Sequence, residues 1–240
     1  MTAACCPSKT NSSRVSFTSS DDRADRSASD PGARLGRRRW IRRLLAVVLL
    51  AGMAGWLFWQ PLLRTVARCW VVEQPVEQAD AIVLATGTRD VLFTEALGWF
   101  QSGRAPRIVL LDSETRPTDR AGITEPAREI RLRQLLAAGV PDNAVIVVGH
   151  ELTSLHEDFI ALRGWAQSNR IHRVLVVVEP FATRRVAWLG RRMLQPVGVR
   201  AIAVPVPVPD YTVDEWWRTE AGMIAFENEW VMAVYYWFRH

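Results

Sequence analysis

Asp80-Ala81-Ile82-Val83-Leu84-Ala85-Thr86-Gly87-Thr88-Arg89 is the stretch that decides how the chain folds. It opens with an unbroken apolar run of strand length, the pattern of a strand covered on both faces. A polar turn containing Gly87 follows at once. Residues 91–102 then place Leu92, Ala96, Trp99 and Phe100 at helical spacing, with Gly103 as the stop. The unit is strand, turn, helix, and it recurs. Arg107 to Leu111 reads as a second strand ending at Asp112, followed by a polar loop from Ser113 to Gly122 and a helix from Glu125 to Ala138 with Pro126 in its first turn. Ala144 to Val148 is a third strand, and Glu157 to Ser168 the next helix, led in by Thr153 and Ser154. Val174 to Val178 and Arg200 to Val204 are strands four and five, with a helix from Thr183 to Leu194 between them. This alternation predicts right-handed crossovers and an α/β fold: a Rossmann-like, doubly wound, mainly parallel sheet of about five strands.

Val204-Pro-Val-Pro-Val-Pro209 cannot be a central strand, because alternate residues lack an N–H. It predicts an extended run into a last helix, Val213 to Phe238, rich in Trp and Tyr. That helix is expected to cover one face of the sheet, to rest its terminal aromatics at a bilayer surface, or to do both with different residues. On the other side of the domain, residues 44–63 form a 20-residue uncharged run closed by Arg64, matching the ~20 residues that cross a hydrocarbon core. Trp40, Trp56 and Trp59 sit near its ends, where indole rings prefer the interface, and Pro61 is expected to mark its outer end. A cleaved signal peptide is the competing reading. The length of the run and the missing A-x-A site favour an uncleaved anchor.

The expected organisation is a disordered basic cytoplasmic tail over 1–36, a transmembrane anchor over 37–63 and an extracytoplasmic domain over 64–240. Charge fixes that orientation. Residues 1–43 hold ten Lys or Arg and four Asp, a net of +6, whereas residues 44–240 hold 20 Arg and 21 Asp or Glu, a net of −1. Five arginines fall within the seven positions before Leu44, which the positive-inside rule assigns to the cytoplasm. The overall charge of +5 therefore belongs to the tail, and no nucleic-acid partner is expected. Cys5, Cys6 and Cys69 cannot bridge within the domain, and no Cys/His spacing asks for zinc.

In open α/β sheets, ligands bind beyond the carboxyl ends of the strands. That rule selects Thr86, Gly87 and Arg89 after the first strand, and Asp112 and Ser113 after the second. It selects Glu151, Thr153, Glu157 and Asp158 after the third, and Glu179, Arg184 and Arg185 after the fourth. Amides around Gly87 could cradle a phosphate, although a simple turn explains the glycine too. Glu157 and Asp158 could act as a catalytic base or hold a metal, or simply complement a helix dipole. Arg184 and Arg185 could clamp a phosphate or carboxylate, or be solvated helix arginines. No elbow surrounds Ser113, so a serine hydrolase is not expected. Mixed arginines and carboxylates suit a polar, partly anionic ligand.

The order of these pieces resembles one family. The anchor, the Ala79–Leu84 strand with its Gly-containing turn, Gly103-Arg104-Ala105-Pro106, Gly139-Val140-Pro141, Glu157-Asp158, Pro180-Phe181-x-x-Arg184-Arg185 and a closing helix with Glu229 and Tyr235-Tyr236 are similar to the SanA/YdcF-like family of bacterial envelope proteins. The resemblance spans about residues 64–240. It implies a Rossmann-like domain, often on one membrane span, associated with envelope integrity and with peptidoglycan or lipid-carrier metabolism. It also implies a nucleotide-like ligand, S-adenosylmethionine having been suggested for some members, and it names no certain cofactor. Glu157 matches the family's Glu, whereas Asp158 stands where Asn is usual, Leu155 for Thr, Ala182 for His, and Ala85-Thr86-Gly87 for a Gly-Gly turn. The leading expectation is a membrane-anchored domain binding an anionic or phosphorylated cell-envelope precursor. The rivals are a hydrolase or transferase with Glu157 or Asp158 as base, and a scaffold using the aromatic C-terminal helix.

Overall fold

The computed structural model describes residues 31–239, with side chains from residue 40 onward; the tail expected over 1–36 lies outside this range up to residue 30. The elements in chain order are helix α1 (Pro31–Trp70), strand β1 (Ala81–Leu84), helix α2 (Asp90–Gln101), β2 (Ile108–Ser113), a single turn α3 (Pro117–Arg120), α4 (Ala127–Ala137), β3 (Val145–Leu152), α5 (Leu155–Ser168), β4 (Arg173–Val178), α6 (Thr183–Leu189), β5 (Arg200–Pro205) and α7 (Glu220–Arg239). All five strands are parallel, in the order β3-β2-β1-β4-β5. The doubly wound fold read from the sequence is the fold observed.

Because successive strand side chains point to opposite faces, each strand feeds two cores. Ile82, Leu84, Ile108, Leu110, Leu175, Val177 and Ile202 meet Leu92, Phe93 and Ala96 of α2 and Leu135 of α4 on one face. Ala81, Val83, Val109, Val174, Val176 and Ala203 meet Phe159, Leu162 and Ala166 of α5 and Val186 and Leu189 of α6 on the other. β1 lies between β2 and β4, paired Leu84 with Leu110 and Leu84 with Val177. Chain order reverses between β1 and β4, which makes a crevice there at the carboxyl ends of the strands.

Several expected boundaries move. α1 begins at Pro31, so residues 31–36 are helical and not tail, and it runs through Pro61 to Trp70. Burial of Ala67 and the packing of Trp70 on the domain core hold the helix beyond the proline. Residues from Gly55 onward form one compact unit, nine positions before the expected domain start at 64. Trp40–Trp70 is a helix long and apolar enough to cross a membrane, and its side chains from Leu44 to Leu62 are exposed, unlike those of a core helix. Pro126 precedes α4 as its N-cap instead of opening its first turn. β2 runs on through Asp112 to Ser113, and β3 through Glu151 to Leu152, across a register shift between Leu111 and Ser113. The helix after β4 changes to a π turn at Gly190–Leu194.

The last segment is not one helix. A 3₁₀ stretch, Val213–Arg218, is separated from α7 by Thr219, whose extended backbone (φ −122°, ψ 144°) ends the first and whose hydroxyl accepts the Gly222 amide at 3.1 Å. α7 also serves both faces: Ala225 and Phe226 pack against the α2 core, and Tyr236 is buried in the α5 core. The single-face reading of the C-terminal helix is therefore corrected.

Candidate functional site

A cavity of about 310 Å³ opens at the β1/β4 crevice. The turn Ala85–Arg89 forms one wall. Glu179, Phe181 and Arg185 follow β4 and form a second, and Tyr211, Asn228 and Glu229 close it from the C-terminal segment.

The turn is held from behind. Asp158, at the start of α5, is completely buried, and its Oδ2 accepts hydrogen bonds from both the amide and the hydroxyl of Thr86, each at 3.1 Å. Its Oδ1 has no hydrogen-bond partner among the described residues. Burial pushes the Asp158 carboxyl up to about 6 against the pull of the Thr86 bonds, and neighbouring Glu157 adds to the rise. The turn itself needs a residue with positive φ, supplied by Gly87 at +72°. Thr88 closes it, both its amide and hydroxyl donating to the Ala85 carbonyl. The amides of Asp90, Val91 and Leu92 open α2 with no intrahelical acceptor by construction, so they add donors at the same corner.

The opposite wall is charged and internally balanced. The Arg185 guanidinium donates to both oxygens of Glu229, Nε to Oε2 at 2.8 Å and Nη2 to Oε1 at 2.5 Å, with both side chains largely buried. Burial opposes the charge on Arg185, and Glu229 more than compensates, so its pKa is raised. At the rim, Arg89 binds Glu179 at 3.3 Å and also Asp210, while the Tyr211 hydroxyl donates to Glu179 at 3.1 Å. Phe181 stacks on Tyr211 with centroids 5.3 Å apart.

Of the residues expected from sequence, Thr86, Gly87, Arg89, Glu179 and Arg185 come together here. The others go elsewhere. Arg184 turns away from the cavity: its Nε donates to the Trp70 carbonyl at 3.1 Å and its Nη2 to that of Cys69, capping the end of α1. Glu157 is a helix-capping group, its Oε2 accepting from the Thr153 amide at 2.7 Å and hydroxyl at 2.8 Å, while Ser154 Oγ accepts the Glu157 amide. Those two Thr153 bonds hold its carboxyl below the usual range. Thr153 is engaged in this cap, and Glu151 lies on β3 with Arg120 at 3.5 Å. Asp112 is buried and accepts from Arg128 at 3.0 Å. Ser113 lines a smaller pocket of about 80 Å³ on the far side of the Ala85–Thr88 turn.

Sequence reasoning missed Tyr211 and Asn228, and met Glu229 only as part of a family pattern. Nothing in the local sequence marks them; they arrive from a segment that follows the whole sheet. Among the described residues no cluster of His, Cys, Asp and Glu is arranged to hold a metal ion. No protein-family model and no curated protein matches the chain.

Proposed function

We propose that this is a single-pass membrane-anchored envelope protein whose α/β domain binds an anionic, phosphorylated cell-envelope precursor at the β1/β4 cleft and thereby supports envelope integrity. The observation that carries the reading is the Thr86–Arg89 turn, fixed by a buried aspartate and facing the paired Arg185 and Glu229. Amides of the turn and of the first turn of α2 offer donors to a phosphate. Each wall arginine is already matched by a carboxylate, so the cleft offers acceptors as well. That balance favours a ligand joining a phosphate to hydroxyl or amide donors, such as a sugar phosphate or a nucleotide-like group, over a bare anion. The resemblance to SanA/YdcF-like proteins supports the envelope setting, and the arginines before Leu44 support a cytoplasmic N-terminus with the domain outside. Neither Glu157 nor Asp158 lines the cleft, which favours binding over turnover.

Thermal unfolding of the full chain in detergent tests the reading. N-acetylglucosamine 1-phosphate is expected to raise Tm, as saturating ligands do, and inorganic phosphate to raise it less. Gly87→Val should abolish the shift and Arg184→Ala should keep it. No shift with the sugar phosphate would reject this ligand class.

A further inference from the structure

The geometry points to the 3₁₀ segment Val213–Arg218 as a second membrane contact, with Trp217 seated in the interfacial layer of the bilayer that α1 crosses. This rests on the reading of α1 as a membrane span. The uncharged run ends at Leu63, so Trp59 and Arg64 bracket the level where hydrocarbon gives way to head groups. The 3₁₀ segment is tied to α1 at that level by four contacts. Trp217 meets the Trp59 ring edge-on, with centroids 6.0 Å apart. Trp216 Nε1 donates to the Leu63 carbonyl at 3.5 Å, Arg64 Nε to the Asp214 carbonyl at 3.3 Å, and Arg68 binds both Asp214 carboxylate oxygens at 2.6 and 2.7 Å.

A residue packed on Trp59 cannot be far from the depth of Trp59. Trp217 keeps part of its ring exposed, and an indole with one apolar face and one polar N–H is the side chain that gains most from the interface. The neighbouring guanidinium of Arg218 is exposed, pairs with Glu215 at 3.4 Å through Nη1, and keeps its other donors for the phosphates of the head groups. The aromatic side chains that the sequence pointed to for this role lie at the far end of α7, around Tyr236, which is buried in the α5 core, whereas the contacts that fix a depth on α1 are made by the 3₁₀ segment. The seat therefore falls at the start of the C-terminal segment. It also sets the height of the cleft, because Trp216 packs on Trp217 and on Phe181, a cavity residue.

The test uses the full chain in nanodiscs containing anionic lipid, with its cysteines replaced by serine and single cysteines labelled with an environment-sensitive fluorophore. Labels at Trp217→Cys, Leu50→Cys and Asn169→Cys are compared for quenching by lipid carrying a shallow spin label. Quenching at 217 several-fold stronger than at exposed Asn169 is expected, with Leu50 also quenched. If Leu50 is quenched and 217 is no more quenched than 169, the contact is refuted and the span stands. If Leu50 is not quenched either, the span reading fails and takes the contact with it. Arg218→Cys, at an exposed neighbouring position, gives the same readout should replacement of Trp217 disturb folding.

Discussion

Asp158 holds its proton at a pH where exposed aspartates have lost theirs, because burial penalises the carboxylate more than Thr86 rewards it. Its folded pKa lies above the unfolded value, so between about pH 4 and 6 the native state binds the extra proton. Stability from this group is then fullest below about pH 4 and declines as pH rises through 6. Asp158→Asn keeps an oxygen acceptor for Thr86 and removes the charge. It is expected to erase that decline and to gain up to roughly 2–3 kcal/mol near neutral pH, measured by urea unfolding at acidic and neutral pH; an unchanged pH dependence would contradict the assignment. The buried Arg185–Glu229 pair should respond in the opposite sense. Glu229→Gln leaves a guanidinium without its counter-charge and is expected to cost about 3 kcal/mol, much of it recovered when Arg185→Met is added. Neither partnership could be read from the sequence. Thr86 and Asp158 are 72 residues apart, Arg185 and Glu229 are 44 apart, and only the strand order brings them together. Adjacent Arg184 and Arg185 looked equivalent, yet the helix sends one to α1 and the other into the cleft.

At the level of elements, strands were the clearest signal, since β1, β2, β4 and the middle of β5 are apolar runs with most of their side chains buried, while β3 at the sheet edge leaves Val147 exposed. Their ends were less clear. Asp112 and Glu151 look like loop residues, and pairing between β2 and β3 nevertheless carries both strands through them. The break at Thr219 had its own mark, a threonine opening a helix, but the continuous spacing of Trp216, Trp217, Met223 and Phe226 concealed it. Close packing of the π turn on β5 makes a further prediction. A Cβ on Gly190 would stand 2.8 Å from Ala201 Cβ. Gly190→Ala is expected to destabilise by about 1–3 kcal/mol, with Ala201→Gly restoring part of the loss in a double-mutant cycle. Full additivity of the two losses would show that this contact is not the cause. Ser154→Ala should cost about 1 kcal/mol by removing the acceptor for the Glu157 amide at the start of α5.

For the molecule as a whole, the charge split between tail and body and the 20-residue apolar run were visible in the sequence, and α1 supplies a helix able to span. The proposed orientation, with the domain outside, is supported by the arginines before Leu44 and is checked by protease access: the body is expected to be cleaved from outside intact spheroplasts, whereas cleavage only in inverted vesicles would reverse it. The cleft's chemistry was half visible. The sequence indicated the β-strand ends, and the fold alone showed that Arg89 and Arg185 are paired with carboxylates in place while Arg184 leaves the cleft, so the cavity presents donors and acceptors together. Binding at the β1/β4 cleft is tested most directly by a structure of the full chain with N-acetylglucosamine 1-phosphate. The phosphate is expected within hydrogen-bond distance of the amides around Gly87, with the sugar toward Glu179 and Glu229. An empty cleft at saturating ligand, or a sugar phosphate bound elsewhere, would contradict binding at this cleft.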